Sequence, residues 1–212
     1  DTSMKPYGMT QQFLGGLLSL LLAGCATGSP IIPVDHDSAV PGGTVMARGT
    51  LQRLTGTPIE VGKPIPATQL IADNTMAKID LAGMKGNVLL VSVVPSIDTK
   101  VCEAQTHYLG DQGQRLPASI VRITVSRDPP FAQKRFADEA KLHGIMFLSD
   151  YRDGSFGMST GLLQAESMLL ARAVFVVDRD GIVRYLQVVP NLGHLPDMEA
   201  AFSASEKLLK AE

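Results

Sequence analysis

The run Val88-Leu89-Leu90-Val91-Ser92-Val93-Val94 leads directly into Pro95-Ser96-Ile97-Asp98-Thr99-Lys100-Val101-Cys102. A near-continuous apolar run of this length reads as a strand buried on both faces. The proline ends it, and residues 99–109 read as a helix with Asp98 as its cap. A hydroxyl residue therefore stands three positions before a thiol at a helix start. Residues three apart on a helix face the same side, so the Thr99 hydroxyl is expected to reach the Cys102 sulfur. A thiol in the first turn also meets the positive end of the helix dipole. This is one way for a chain to build a reactive thiolate.

Working outward, residues 119–125 read as the next strand, with Ile120, Val121, Ile123 and Val125. Pro129-Pro130 opens a helix to about residue 142, since proline is tolerated in the first turn, and Gly144 stops it. A short strand at 145–148 follows. Strands 173–177 and 182–188 are joined by the turn Asp178-Arg179-Asp180-Gly181. Residues 196–209 form a closing amphipathic helix with Met198, Phe202, Leu208 and Leu209 on its apolar side. Upstream, segments 50–54 and 58–61 flank Thr55-Gly56-Thr57 and are expected to pair as an N-terminal β-hairpin. Segments 69–72 and 77–81 flank a second turn signal, Asp73-Asn74. The alternation of strand and helix argues an α/β layer fold, a central mixed sheet flanked by helices. It is compatible with a thioredoxin-like sheet.

The N-terminal part reads differently. Residues 13–22 form a ten-residue, largely apolar run. That is too short for a bilayer, which needs about 20 residues, but suits the core of a signal peptide. It runs into Leu22-Ala23-Gly24-Cys25, which resembles the lipobox of bacterial lipoproteins. The resemblance implies lipid attachment at Cys25 and cleavage before it. Ala26 follows, where an aspartate would mark inner-membrane retention, so the outer membrane is favoured, with the domain on the periplasmic face. Residues 25–47 are rich in Gly, Pro, Ser and Thr and read as a flexible tether. The expected organisation is a signal peptide at 1–24, a tether at 25–47 and one domain at 48–212. The chain holds 2 cysteines. With Cys25 lipidated, Cys102 is the free thiol; a Cys25–Cys102 disulfide is the alternative.

At Pro95-x-x-x-Thr99-x-x-Cys102 the sequence resembles the peroxiredoxins, and the fuller string 95–102 is similar to their thiol peroxidase branch. Two further blocks agree. One is Asp128-Pro129-Pro130-Phe131-Ala132-Gln133-Lys134-Arg135-Phe136, and the other is Ala171-Arg172-Ala173-Val174-Phe175-Val176-Val177-Asp178. The resemblance covers roughly residue 56 to the C-terminus. It implies a thioredoxin-like fold and reduction of hydrogen peroxide and alkyl or lipid hydroperoxides, without cofactor or metal. It makes Cys102 the peroxide-attacking thiolate, passing through a sulfenic acid. Arg172 and the helix start would favour the thiolate, and Arg172 would also stabilise charge as the O–O bond breaks. Thr99 would bridge peroxide and thiolate, Pro95 would shield the sulfur, and the Val101 and Cys102 N–H groups would hold the peroxide. A homodimer paired near the active site also follows from the resemblance.

One departure stands out. The branch commonly places a resolving cysteine after the Arg-Phe of the second block, and here Arg135-Phe136 is followed by Ala137. A one-cysteine peroxidase with an external thiol reductant is therefore expected. The alternative is a catalytically weak thioredoxin-like lipoprotein acting as a redox sensor or binding module.

Other chemistries find little support. The net charge of −2 and the absence of a basic run exclude a nucleic-acid binder. His36, His107, His143 and His194 lack short metal-ligand spacing and read as surface or hydrogen-bonded residues. A thiol–disulfide reductase would need Cys-x-x-Cys, and Cys102-Glu103-Ala104-Gln105 lacks it.

Overall fold

The computed structural model describes residues 2, 31–72 and 75–210. The chain divides into two compact units, Asp1–Ile31 and Ile32–Glu212, and the fold is that of the second. Apart from residue 2, the expected signal peptide and Cys25 lie outside the described residues.

The elements in chain order begin with β1 (Val34–Asp35), β2 (Thr44–Ala47), β3 (Thr50–Thr55), β4 (Leu70–Ala72) and β5 (Ala77–Ile79). The central stretch is β6 (Val88–Val93), α1 (Lys100–Asp111), β7 (Ile120–Ser126), α2 (Pro130–Glu139) and β8 (Ile145–Ser149). Then come α3 (Ser155–Thr160), β9 (Leu163–Gln164), β10 (Ala173–Val177), β11 (Val183–Val188), β12 (Leu195–Pro196) and α4 (Met198–Lys210). The main sheet has 7 strands in the order β11-β10-β6-β7-β8-β4-β5. β6, β7 and β8 run parallel. β10 is antiparallel to β6 and to β11, and β4 to β8 and to β5. The sheet is therefore mixed, as the alternation of elements predicted.

β6 explains why the fold centres where it does. Every residue from Val88 to Val93 is buried, because β10 and β7 flank the strand and both of its faces are covered. Leu89, Val91 and Val93 point into one core with Ile123, Phe175 and Leu54. Val88 and Leu90 join a second core with Val174, Leu109, Met198 and Phe202. Successive strand side chains point to opposite faces, so one strand seeds two hydrophobic layers. The two helices of the second layer present matching stripes. α1 buries Cys102, Gln105, Thr106, Leu109 and Gly110, and α4 buries Met198, Ala201, Phe202 and Ser205. Both sets follow the i, i+3, i+4, i+7 spacing of a helix with one inward face.

Two expectations for the N-terminal part are corrected. The hairpin is β2 paired with β3, not 50–54 with 58–61. Its turn is Arg48-Gly49, both at positive φ, a geometry that matches strand twist in two-residue hairpins. The second correction concerns the tether. From Ile32 onward the chain belongs to the folded unit. β1 pairs in parallel with β12, and Ala39 bridges to Val188. Gly and Pro richness marked turns here, not slack, because the partner strands lie far away in sequence.

Gly56 shows how tightly the hairpin is docked. Its φ is +109°, and a Cβ there would stand 2.0 Å from the Met158 carbonyl oxygen. That carbonyl accepts the Thr57 N–H at 2.7 Å, so it has no room to retreat. Gly56→Ala is expected to destabilise the domain by about 2 kcal/mol or more, from backbone strain and clash together. A urea denaturation curve checks this.

Candidate active site

Cys102 is the third residue of α1. Its N–H and those of Lys100 and Val101 belong to the first turn, where no intrahelical acceptor exists. The side chain is fully buried and packs with Val94 and Ile97, with Phe136 of α2 against the cluster. Cys102 is a free thiol.

Arg172 immediately precedes β10 and is 2% exposed. Its Nη2 donates to the Cys102 sulfur at 3.4 Å. Nε and Nη2 both donate to the Leu192 carbonyl, at 3.1 and 3.0 Å. Nη1 donates to Gln105 Oε1 at 2.8 Å. Gln105 stands one turn after Cys102 on α1 and is itself held, its Nε2 donating to Ser92 Oγ at 2.8 Å. The guanidinium is thus held on three sides. Burial lowers its proton affinity, and the charge and hydrogen bond of the neighbouring sulfur push it back up. A buried cation needs an anionic partner or a full set of acceptors. No carboxylate reaches Arg172 among the described residues, so the Cys102 sulfur is its one partner able to carry a negative charge.

Pro95 and Thr99 stand in front of this pair. They line a cleft of about 740 Å³ together with Val101, Arg172, Asn191 and Leu192. Arg172 lines the cleft and also bonds to the sulfur behind its wall. The loop carrying Pro95 and Thr99 is pinned by Asp128. One of its carboxylate oxygens accepts Ser96 Oγ–H at 2.7 Å, and the other accepts the Ile97 N–H at 2.8 Å.

The structure therefore brings Cys102 and Arg172 into contact and sets Pro95 and Thr99 at the mouth of the cleft. Thr99 departs from expectation. It is the N-cap residue, with extended backbone at φ −132° and ψ 144°, so the same-face argument for helical residues does not extend to it. Its hydroxyl donates to the Ser96 carbonyl at 3.5 Å and makes no hydrogen bond to Cys102. Asp98 is not the cap. Three contributors were not singled out from sequence: Gln105, the Leu192 carbonyl and Asp128. Gln105 did carry a signal, since it lies three residues after Cys102 on a predicted helix. The Leu192 carbonyl carried none, because a backbone oxygen has no sequence signature. Ala137 is half-buried on α2, directly after the Phe136 that packs toward Cys102.

A thioredoxin-like sheet that sets a helix-start thiol against a buried arginine, beside a cleft, is the arrangement of a peroxiredoxin. Comparison with known proteins agrees. Residues 60–202 match the Redoxin family. A thiol peroxidase of Halalkalibacterium halodurans is 40% identical over 166 residues, which covers 78% of this chain and 99% of that protein. A thiol peroxidase of Streptococcus pneumoniae is 42% identical over 154 residues, covering 73% of this chain and 93% of that protein. The crystal structure of a peroxiredoxin-like protein from Aquifex aeolicus superposes with a TM-score of 0.74 at 30% identity, over 81% of this chain and 99% of that one. The chain belongs to the Redoxin family, in its thiol peroxidase branch.

Gln105 links two layers of the site. Gln105→Ala removes the acceptor of Arg172 Nη1 and the donor to Ser92 Oγ, leaving buried polar groups without partners. A loss of about 1–3 kcal/mol is expected, read as a lower denaturation midpoint, together with slower oxidation of Cys102 by peroxide.

Proposed function

We propose that this thiol peroxidase works with a single redox-active cysteine, Cys102, and draws its reducing equivalents from external thiols. The carrying observation is the buried Arg172 guanidinium, 3.4 Å from the Cys102 sulfur and, among the described residues, without a carboxylate partner. A hydroperoxide enters the cleft beside Pro95 and Thr99. The Cys102 thiolate attacks the distal oxygen, so an S–O bond forms as the O–O bond breaks. The departing hydroxide or alkoxide takes a proton and leaves as water or alcohol. Sulfur is oxidised to sulfenic acid and the peroxide is reduced by two electrons. Negative charge gathers on the departing oxygen, where the Arg172 N–H groups and the free N–H groups of the helix start offer preorganised donors.

Ala137 supports the second half of the reading. Without a cysteine there, an external thiol condenses with the sulfenic acid, releases water and forms a mixed disulfide. A second external thiol then displaces Cys102 and leaves as the oxidised disulfide. The same proposal places the domain at the periplasmic face of a bacterial membrane, outer membrane favoured, through lipid on Cys25. Its support is the stretch Leu22-Ala23-Gly24-Cys25 and the run before it. Among the described residues no helix is long and apolar enough to cross a membrane. The reading includes pairing of two copies near the active site, as in the family it resembles.

The test is mass spectrometry of Cys102 after one equivalent of hydroperoxide, combined with stopped-flow rates. Stoichiometric sulfenic acid, and turnover once a thiol donor is added, are expected. Arg172→Ala is expected to slow the oxidation step on the order of a hundredfold or more. A slow rate that Arg172→Ala leaves unchanged would instead favour the sensor or binding role. For the anchor, incorporation of labelled fatty acid is expected in the natural chain and lost in Cys25→Ala.

A further inference from the structure

We infer that Asp35 and His194 are positioning residues for the peroxide-reducing step, acting through the Leu192 carbonyl on Arg172. The inference rests on the reading of Arg172 as the residue that orients peroxide against Cys102. Neither Asp35 nor His194 lies in the three blocks that resemble the thiol peroxidases, and Asp35 lies upstream of the residues matched to the Redoxin family.

The geometry runs outward from the guanidinium. The Leu192 carbonyl accepts from both Nε and Nη2 of Arg172, so its position sets the tilt of the guanidinium plane. Leu192 sits in the connection between β11 and β12, which has no helix or long strand to hold it. The segment at 32–47 supplies the hold. The Met46 N–H donates to the Pro190 carbonyl at 2.7 Å, and the Leu192 N–H donates to the Met46 carbonyl at 2.8 Å. On the other side, Asp35 grips the connection with both carboxylate oxygens. Oδ2 accepts the Asn191 N–H at 3.3 Å, and Oδ1 is 2.7 Å from His194 Nδ1.

The neighbouring bonds fix the state of the His194 ring. The Gly193 N–H donates to Asn191 Oδ1 at 3.0 Å, so Asn191 Nδ2 is the end that faces His194 Nε2, at 3.3 Å. An amide nitrogen only donates. Nε2 therefore accepts, and Nδ1 carries the proton given to Asp35. The result is a closed ring of bonds: the Asn191 side chain donates to His194, His194 donates to Asp35, and Asp35 also accepts the Asn191 backbone N–H, one residue from Leu192. His194 is 30% and Asp35 20% exposed, which leaves this hydrogen bond only partly open to water. A second pair on the same segment, His36 with Asp197, provides an internal comparison. It is also 2.7 Å long, but its histidine is 75% exposed and it touches the start of α4, not the connection at 190–194.

The experiment uses the full chain and two single-turnover rates at Cys102, one with hydrogen peroxide and one with a neutral alkylating reagent such as chloroacetamide. Alkylation needs the thiolate and access but has no O–O bond to orient. Loosening the domain in general moves both rates together, whereas misplacing Arg172 lowers the peroxide rate selectively. Asp35→Ala and His194→Ala are expected to lower the ratio of peroxide to alkylation rate on the order of tenfold or more, as small misplacements of reacting groups do. Asp35→Asn, which keeps one acceptor for the ring, is expected to recover part of that loss. His36→Ala is expected to leave the ratio unchanged. Arg172→Lys separates the two readings. If it leaves the ratio unchanged, the role assigned to Arg172 fails. If it lowers the ratio while Asp35→Ala and His194→Ala do not, the positioning role alone is overturned.

Discussion

A buried guanidinium that no carboxylate reaches among the described residues governs this fold. Moving a full charge out of water is costly unless every donor is met and the charge is balanced. Four of the five N–H groups of Arg172 find acceptors drawn from distant parts of the chain: Gln105 on α1, the carbonyl of Leu192 and the sulfur of Cys102. None of the three is close to Arg172 in sequence. The site exists only when α1 is docked on β6, when β10 pairs with β6, and when the connection before β12 is in place. Packing and chemistry are in this sense one requirement.

The sulfur sits at the junction of two environments. Behind it lie Val94, Ile97 and Phe136. In front lie Arg172 and the helix start. The apolar side excludes water, and on the polar side Arg172 Nη2 donates to the sulfur. An acceptor facing the sulfur would oppose its anion, and among the described residues the side chain that bonds to it is a cation. Even Thr99, the hydroxyl nearest in the motif, gives its proton to a backbone carbonyl.

Much of this was legible in the residues. The apolar run at 88–94, the proline that ends it and the thiol after it led to the central strand and to α1. The turn signals at Asp73-Asn74 and Asp178-Arg179-Asp180-Gly181 fell between strands that do pair. The blocks around Cys102 and Arg172 hold two side chains that the fold brings into contact. What escaped was non-local. The segment 32–47 reads as a tether because β1 is two residues long and the partners of residues 34–39 lie about 150 residues further on, as for the Gln187 side chain bonded to the Asp37 carbonyl. Local pattern carries no trace of such pairing. The short α3 and β9 escaped for a related reason, since each holds too few residues to show a period. Thr99 was misplaced by one step of logic: a cap residue precedes the helix, and helical spacing does not include it.

The pairing of β1 with β12 also bears on the order in which the domain is made. Asp35 and His194 are separated by 159 positions in the chain. A polypeptide synthesised from its N-terminus must hold the first of these unpaired until almost the whole domain has followed. Closing so long a loop is entropically slow, and contacts of high sequence separation form late. The segment that clasps the arginine is thus made well before the stretch it clasps and is among the last to be secured, so in a growing chain the thiol is not armed until residues 190–195 have followed.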